Sequence, residues 1–246
     1  MKRDKIVGII PARYDSSRYP GKAMAMIHGK TIIQRVYEQA RKVLEEVCVA
    51  TDDERIYNHV AGFGKVFMTS RDHRSGTERC QEVLSREYAD CGYVINIQGD
   101  EPFINPEQIR TLISCLDGEV ELATLGKKIH DFEELQSPNV VKVTRDNKGF
   151  ALYFSRHPIP YVKGKNTVNW LEEKQHLKHI GVYAYRSDIL REISALGPSS
   201  LEISESLEQL RWLENGYRIK CLLTEYESMG IDTPEDLEKA KVLYAD

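Results

Sequence analysis

The chain is poor in the features that staple or anchor a protein. Its 246 residues hold five cysteines (Cys48, Cys80, Cys91, Cys115 and Cys221), an odd number without C-x-x-C spacing, so neither a disulfide framework nor a structural zinc site is indicated. No apolar run approaches the length of a membrane span. The basic start (Lys2, Arg3, Lys5) leads into an apolar stretch at residues 6–10 that is too short for a secretory leader and stops at Pro11. Neither sign of charge dominates: 34 Lys and Arg against 38 Asp and Glu leave −4, which argues against general affinity for a nucleic-acid backbone. Any anion bound here must be caught by a local cluster of bases. What remains is a soluble globular composition, 41% apolar and 29% charged with mean hydropathy −0.46. It suits a chain long enough to bury its own core in the reducing cytoplasm.

The first half alternates short β-branched runs with helical periodicity. Residues 6–10, 47–50, 66–68 and 93–97 read as buried strands, being continuous apolar runs bounded by turn residues. Between them, Ile33, Val36, Ala40 and Val43, then Cys80, Val83, Leu84 and Tyr88, recur at helical spacing. A further helix is signposted by Asn105 as cap, Pro106 at the first turn and Gln108 completing a capping pair, with Gly118 beyond its apolar stripe. This alternation predicts an α/β fold, a mostly parallel sheet with helices on both faces.

From about Leu125 the rhythm changes. Residues 140–144, 151–155 and 180–185 are strand candidates without good helices between them, which predicts an inserted antiparallel section at about 125–186 within a single domain. Residues 163–175 are polar and carry Gly164 and Asn166, the composition of a loop. Residues 204–214 read as one helix with Leu207, Leu210 and Leu213 inward and Gly216 as terminator. A strand at 219–223 and a helix opening at Thr233-Pro234 complete the pattern.

Directly after the first strand come Arg13, Arg18 and Lys22, three cations within ten residues at the edge where open α/β sheets bind ligands. Arginine supplies a planar fork for phosphate oxygens and lysine a point charge, so the set can hold a triphosphate. The loop is not a P-loop, since Ala23 follows Lys22, and no G-x-G-x-x-G is present. A solvated basic loop is the bland alternative; the position after strand one and the Pro20-Gly21 turn favour phosphate.

Two aspartates stand out. Asp100 follows the fourth strand and Gly99, at the same sheet edge, and a carboxylate there suits Mg²⁺, which takes few protein oxygens beside those of phosphate. An ordinary turn aspartate is the alternative. Asp232 lies 132 positions later before a helix, but Thr233 already fits the cap, which leaves Asp232 free. In Asp52-Asp53 either residue can cap the helix that begins near Glu54.

At these residues the chain resembles the 3-deoxy-D-manno-octulosonate (KDO) cytidylyltransferases over nearly its full length. The matching stretches are residues 10–22 (P-A-R-Y-x-S-S-R-x-P-G-K), 50–53, 72–79 (D-H-R-S-G-T-E-R), 96–102, 153–161 (Y-F-S-R-x-P-I-P-Y), 178–186 (K-H-I-G-x-Y-A-Y-R), 205–211 (E-S-L-E-Q-L-R) and 230–234. Tyr19, Ala23 and Met26 depart from the pattern without removing a charge.

The resemblance implies a three-layer nucleotidyltransferase-type fold. It also implies an enzyme that transfers CMP from CTP to KDO with Mg²⁺, releasing pyrophosphate, for lipopolysaccharide or capsule synthesis, as a homodimer in the cytoplasm with no nucleic-acid or membrane partner. By resemblance Arg13, Arg18 and Lys22 hold the triphosphate, and Asp100 and Asp232 the metal. Arg74-Ser75-Gly76 and the backbone of Pro11-Ala12-Arg13 meet the cytosine. Gln98, Arg156, His179, Tyr183, Tyr185, Glu208 and Gln209 fall to the sugar acid, with Arg13, Lys22 and Asp100 closest to the chemistry. His179 can equally be a satisfied strand histidine, the tyrosines core packing, and Glu208 the partner of Arg211 in a surface ion pair. Two rival functions remain at this point: activation of another acid sugar such as sialic acid, and a CTP-sensing module without catalysis.

Overall fold

The continuous apolar run after the N-terminus becomes the middle of the sheet, because Val7, Ile9 and Ile10 are buried on both of its faces. The computed structural model describes residues 5–243 apart from Ser17 and Lys174; Lys2, Arg3 and the loop's Ser17 therefore lie outside the described residues. In chain order the first half gives β1 (Ile6–Ala12), the two-residue strands β2 (Met26–Ile27) and β3 (Lys30–Thr31), α1 (Ile32–Arg41), β4 (Glu46–Thr51) and α2 (Glu54–Ala61). It continues with β5 (Lys65–Met68), α3 (Gly76–Glu87), β6 (Tyr93–Asn96) and α4 (Pro106–Ile113). The second half gives β7 (Leu122–Lys128), α5 (Phe132–Gln136), β8 (Lys142–Arg145), β9 (Ala151–Ser155), α6 (Trp170–Glu173) and β10 (Leu177–Arg186). Then follow α7 (Ser187–Ser194), α8 (Ser200–Glu205), α9 (Glu208–Glu214), β11 (Ile219–Leu223) and α10 (Pro234–Leu243).

The main sheet runs β11-β7-β10-β6-β1-β4-β5. β1 pairs in parallel with β4 and β6, β4 with β5, and β11 with β7; only β10 is antiparallel to both its neighbours, β6 and β7. Alternation along the strands feeds two apolar layers. Ile10, Val49 and Ile95 face α1, α2, α4 and α10 through Val36, Ile56, Leu112 and Leu237. Val7, Cys48 and Val94 face α3, α7 and α9 through Leu84, Leu190 and Leu210. Helix, sheet and helix thus form the three layers expected.

The antiparallel section is woven into this sheet rather than hung from it. β7 and β10 are main-sheet strands, and only the β8–β9 pair branches off, through Val143 opposite Leu177. Four local expectations are corrected. β5 is an edge strand with Val66 and Phe67 half-buried, because only β4 flanks it. Residues 163–175 are partly ordered by a 3₁₀ turn and α6; Trp170 is buried, edge-on to Tyr161 at 5.1 Å and stacked on His176 at 5.9 Å. The helix expected over 204–214 is two helices, α8 and α9, broken where Ser206 adopts a left-handed φ of 51°. As a result Trp212 packs inward and Leu213 stays half-buried.

The capping signals hold. Asn105 and Gln108 form the reciprocal box at α4, Gly216 takes φ 87° after α9, and Asp53, not Asp52, caps α2. All five cysteines are free, and among the described residues no helix is long and apolar enough to cross a membrane.

Candidate active site

Three chain segments meet at the carboxyl ends of β1 and β6, and small residues let them approach. A Cβ on Gly99 would stand 2.7 Å from the Pro11 carbonyl oxygen, so the turn after β6 can lie against the end of β1 only with glycine there. The third segment is docked by a main-chain bond: Ile231 N–H donates to Asp100 O at 2.8 Å, which places Asp232 beside Asp100. Thr233 Oγ1 accepts from Asp236 N–H at 3.2 Å while the Asp236 carboxylate accepts from Thr233 N–H at 3.0 Å. This box is the cap of α10, and it leaves the Asp232 side chain for the site as the sequence suggested.

Lys22, in a 3₁₀ turn, joins the two carboxylates. Its ammonium donates to Asp100 Oδ2 at 2.5 Å and to Asp232 Oδ1 at 3.0 Å, and Arg18 bridges to Asp232 Oδ2 at 2.9 Å. Burial alone lowers the Lys22 pKa, but the charges of Asp100 and Asp232 outweigh it and hold the group above its usual value, firmly protonated. The two carboxylates therefore already point their oxygens at one positive centre. Among the described residues no third His, Cys, Asp or Glu joins them. A divalent ion taking its remaining ligands from phosphate and water suits this donor set.

The cavity beside them, of about 310 Å³, is lined by the expected Pro11, Ala12, Arg13, Arg18, Lys22, Arg74, Ser75, Gly76, Gln98, Asp100 and Asp232. It also includes residues to which the sequence gave no role, notably His73 and Arg79. Arg79 is buried and bound to Asp52 Oδ2 at 2.8 Å, which explains why Asp52 is not a cap. His73 Nε2 meets Glu82 Oε2 at 2.6 Å. Both lie in the D-H-R-S-G-T-E-R stretch, which was the available signal, and Arg79 stands on α3 three positions before Glu82.

The sugar-side candidates are gathered less tightly. On β10, His179, Tyr183 and Tyr185 form one ladder of rings, His179 to Tyr183 at 5.3 Å and Tyr183 to Tyr185 at 5.9 Å, with Trp212 edge-on to both tyrosines. The strand bulges between Ile180 and Tyr183, and the rings nonetheless share a face.

Thr124 Oγ1 lies 2.9 Å from His179 Nε2, 2.9 Å from the Val182 carbonyl and 3.1 Å from that of Ile180; with the hydroxyl proton given to a carbonyl, its oxygen accepts from His179 Nε2–H. Burial presses the His179 pKa down to about 3. Burial likewise pushes both tyrosine phenols well above their ordinary range.

From Tyr185 a directed chain of hydrogen bonds runs to Glu208. Asn96 Nδ2 donates to Tyr185 at 3.2 Å, Tyr185 to Thr77 at 3.5 Å, and Thr77 to Glu208 Oε2 at 2.9 Å. Glu208 is thus no surface partner of Arg211, which pairs with Glu202 instead. Burial raises the Glu208 pKa, against the hydrogen bonds from Ser75 and Thr77 that lower it. Gln209 is buried beside it.

Arg156 stands apart from the cavity. Its guanidinium donates to three main-chain carbonyls, of Glu205 at 2.7 Å, Pro138 at 3.0 Å and Ser206 at 3.3 Å. In this conformation it is a clasp between β9 and the α8–α9 junction.

Among known proteins, the profile of the cytidylyltransferase family matches residues 7–219. The chain is 54% identical over 247 residues to a 3-deoxy-manno-octulosonate cytidylyltransferase of Parabacteroides distasonis, covering 98% of each chain. It is 51% identical over 242 residues to the enzyme of that name from Bacteroides thetaiotaomicron, covering 96% of this chain and 97% of the other. A solved CMP:2-keto-3-deoxy-manno-octonic acid synthetase complexed with CTP superposes with a TM-score of 0.91 at 44% identity, over 98% of both chains. A 4-diphosphocytidyl-2C-methyl-D-erythritol synthase from Anaerococcus prevotii shares the fold at TM-score 0.66 and 16% identity, over 100% of both chains.

Proposed function

The chain belongs to the cytidylyltransferase family, and on that premise we propose that it transfers CMP from CTP to the sugar acid KDO, releasing pyrophosphate. The observation that carries the proposal is the meeting of Lys22 with Asp100 and Asp232 in a cavity that Arg13 and Arg18 also line.

Transfer needs the acceptor hydroxyl and the departing pyrophosphate in line across the α-phosphorus, with the growing negative charge stabilised. Arg13 and Arg18 are exposed to incoming ligand, and their guanidinium forks match phosphate oxygens. Lys22 is held closer in, where it can stabilise charge on the leaving group. Ser75 and Gly76, at the start of α3, line the cavity with Pro11, which Gly76 adjoins closely, and would meet the base there. Mg²⁺ held by Asp100 and Asp232 would offset phosphate charge and lower the pKa of the attacking hydroxyl. With that assistance no dedicated protein base is required. On the acceptor side, Gln98 lines the cavity, while Thr77, next to the cavity-lining Gly76, ties the start of α3 to Tyr185 and Glu208 behind it.

Placement in the cytoplasm, action as a homodimer and a role in lipopolysaccharide or capsule synthesis belong to the same proposal, and light scattering tests the dimer. The decisive assay is pyrophosphate release with CTP, Mg²⁺ and KDO, beside UTP, ATP and sialic acid as substitutes. Release confined to CTP with KDO is expected. Equal release with sialic acid would overturn the acceptor, and CTP binding without turnover would leave a sensor.

A further inference from the structure

The phosphate loop is closed by a residue that carries none of its charge. Gly21 N–H donates to Tyr14 O at 2.8 Å, and Ser16 N–H donates to the same carbonyl at 3.0 Å. Gly21 takes a left-handed φ of 75°, and a Cβ there would stand 2.9 Å from Tyr14 Cζ and Oη. The end of the phenol ring therefore occupies the space a side chain at 21 would need.

Over the Tyr14 ring lies Arg55, its guanidinium carbon 3.3 Å from the centroid. Arg55 is itself fixed, because its side chain donates to Asp53 at 2.9 and 2.6 Å while Asp53 caps α2 through the Arg55 backbone N–H. A line of contacts thus runs from the start of α2 through Arg55 and Tyr14 to Gly21. Arg13 immediately precedes Tyr14 and Lys22 immediately follows Gly21, so the Tyr14–Gly21 closure sets the spacing of two of the loop's cations. Tyr14 does not line the cavity, and no ligand contact is asked of it.

We propose that Tyr14 is the positioning residue of the phosphate-binding loop, its ring gripped between Gly21 and Arg55 so that Arg13 and Lys22 stand ready at the spacing a polyphosphate needs. The proposal rests on the assignment of this loop to the triphosphate of CTP. Ordering the loop before the ligand arrives removes a cost that binding would otherwise carry.

Calorimetric titration with CTP, and separately with inorganic tripolyphosphate, tests it on four proteins: wild type, Tyr14→Phe, Tyr14→Ala and Arg55→Ala. Tyr14→Phe keeps the ring and should stay within about twofold of wild type, whereas Tyr14→Ala should lose about tenfold for both ligands. Arg55→Ala should lose affinity in the same direction by less. In turnover, Tyr14→Ala should raise KM for CTP and leave KM for KDO in place, a split that general loosening of the fold would not give. Wild-type affinity in Tyr14→Ala, or an equal loss in Tyr14→Phe, would overturn the proposal. Should Tyr14→Ala not fold, unchanged affinity in the exposed Arg55→Ala would overturn it just as well. A wild type that binds tripolyphosphate but not CTP would instead refute the nucleotide and leave the loop's closure standing; one that binds neither would refute both.

Discussion

Lys22 and Asp100, 78 positions apart in the chain, meet at 2.5 Å, and the same ammonium reaches Asp232 across 210 positions. One cation therefore holds together two carboxylates that would otherwise repel, at the place where a metal and a triphosphate are proposed to bind. Its role as counter-ion before the ligands arrive, and the phosphate contact proposed for it afterwards, require it to stay charged, and the neighbouring carboxylates keep it so.

Replacing Lys22 with Met should expose this arrangement without any substrate. Asp100 then loses its counter-ion while Asp232 keeps only Arg18, and stability in chelator should fall by about 1–2 kcal/mol, a figure reduced for the solvent that screens the half-exposed Asp232. Added Mg²⁺ should recover the melting temperature. A variant whose melting curve ignores Mg²⁺ would remove the two aspartates from any metal role.

Asp100→Asn keeps the shape and removes the charge. Circular dichroism should be unchanged, while pyrophosphate release with Mg²⁺ drops by about a hundredfold or more. Turnover at the wild-type rate would refute the assignment of Asp100.

Arg156→Ala should report on packing before binding. Three main-chain carbonyls lose their donor, and a melting temperature lower by about 5 °C is expected. CTP affinity by calorimetry should be retained. If KDO affinity falls while the melting temperature does not move, the guanidinium leaves its clasp to bind the acceptor's carboxylate.

His179 gives a pH signature. Its folded pKa lies near 3, below the ordinary histidine value near 6.5, so the unfolded chain takes up a proton that the folded one refuses. Its contribution to stability is complete above about pH 6.5 and is lost progressively as the pH falls from there toward 3. Melting curves of wild type and His179→Gln should therefore converge on acidification over that window. A constant difference across it would show that the imidazole is not kept neutral by burial.

Much of the sheet and of the cavity's lining was legible in the sequence because its signals are local. An apolar run such as Val94-Ile95 needs only two covered faces, the Asn105–Gln108 box needs only three residues of spacing, and Thr233 declared itself a cap and so released Asp232. The stretch from β8 to α9 depends on partners distant in sequence. Nothing near Ser206 announces a left-handed residue, and the leucine spacing of 207, 210 and 213 runs straight through the break. Arg156 carried the charge expected of a carboxylate binder, yet its carbonyl partners come from chain bends that no periodicity encodes. Trp170 sat in a polar stretch whose burial is decided by Ile129 and Leu135, more than thirty positions away.

The antiparallel course of β10 has a consequence for how such a protein can change. Among the described residues it is the sole strand joining the parallel block of β6, β1, β4 and β5 to the parallel pair of β7 and β11, and it is also the strand that carries His179, Tyr183 and Tyr185. Whatever those three side chains serve is thus not a module that recombination can exchange, since cutting the strand out would sever the sheet. It can change only one side chain at a time, by substitutions that the fold's central seam can tolerate.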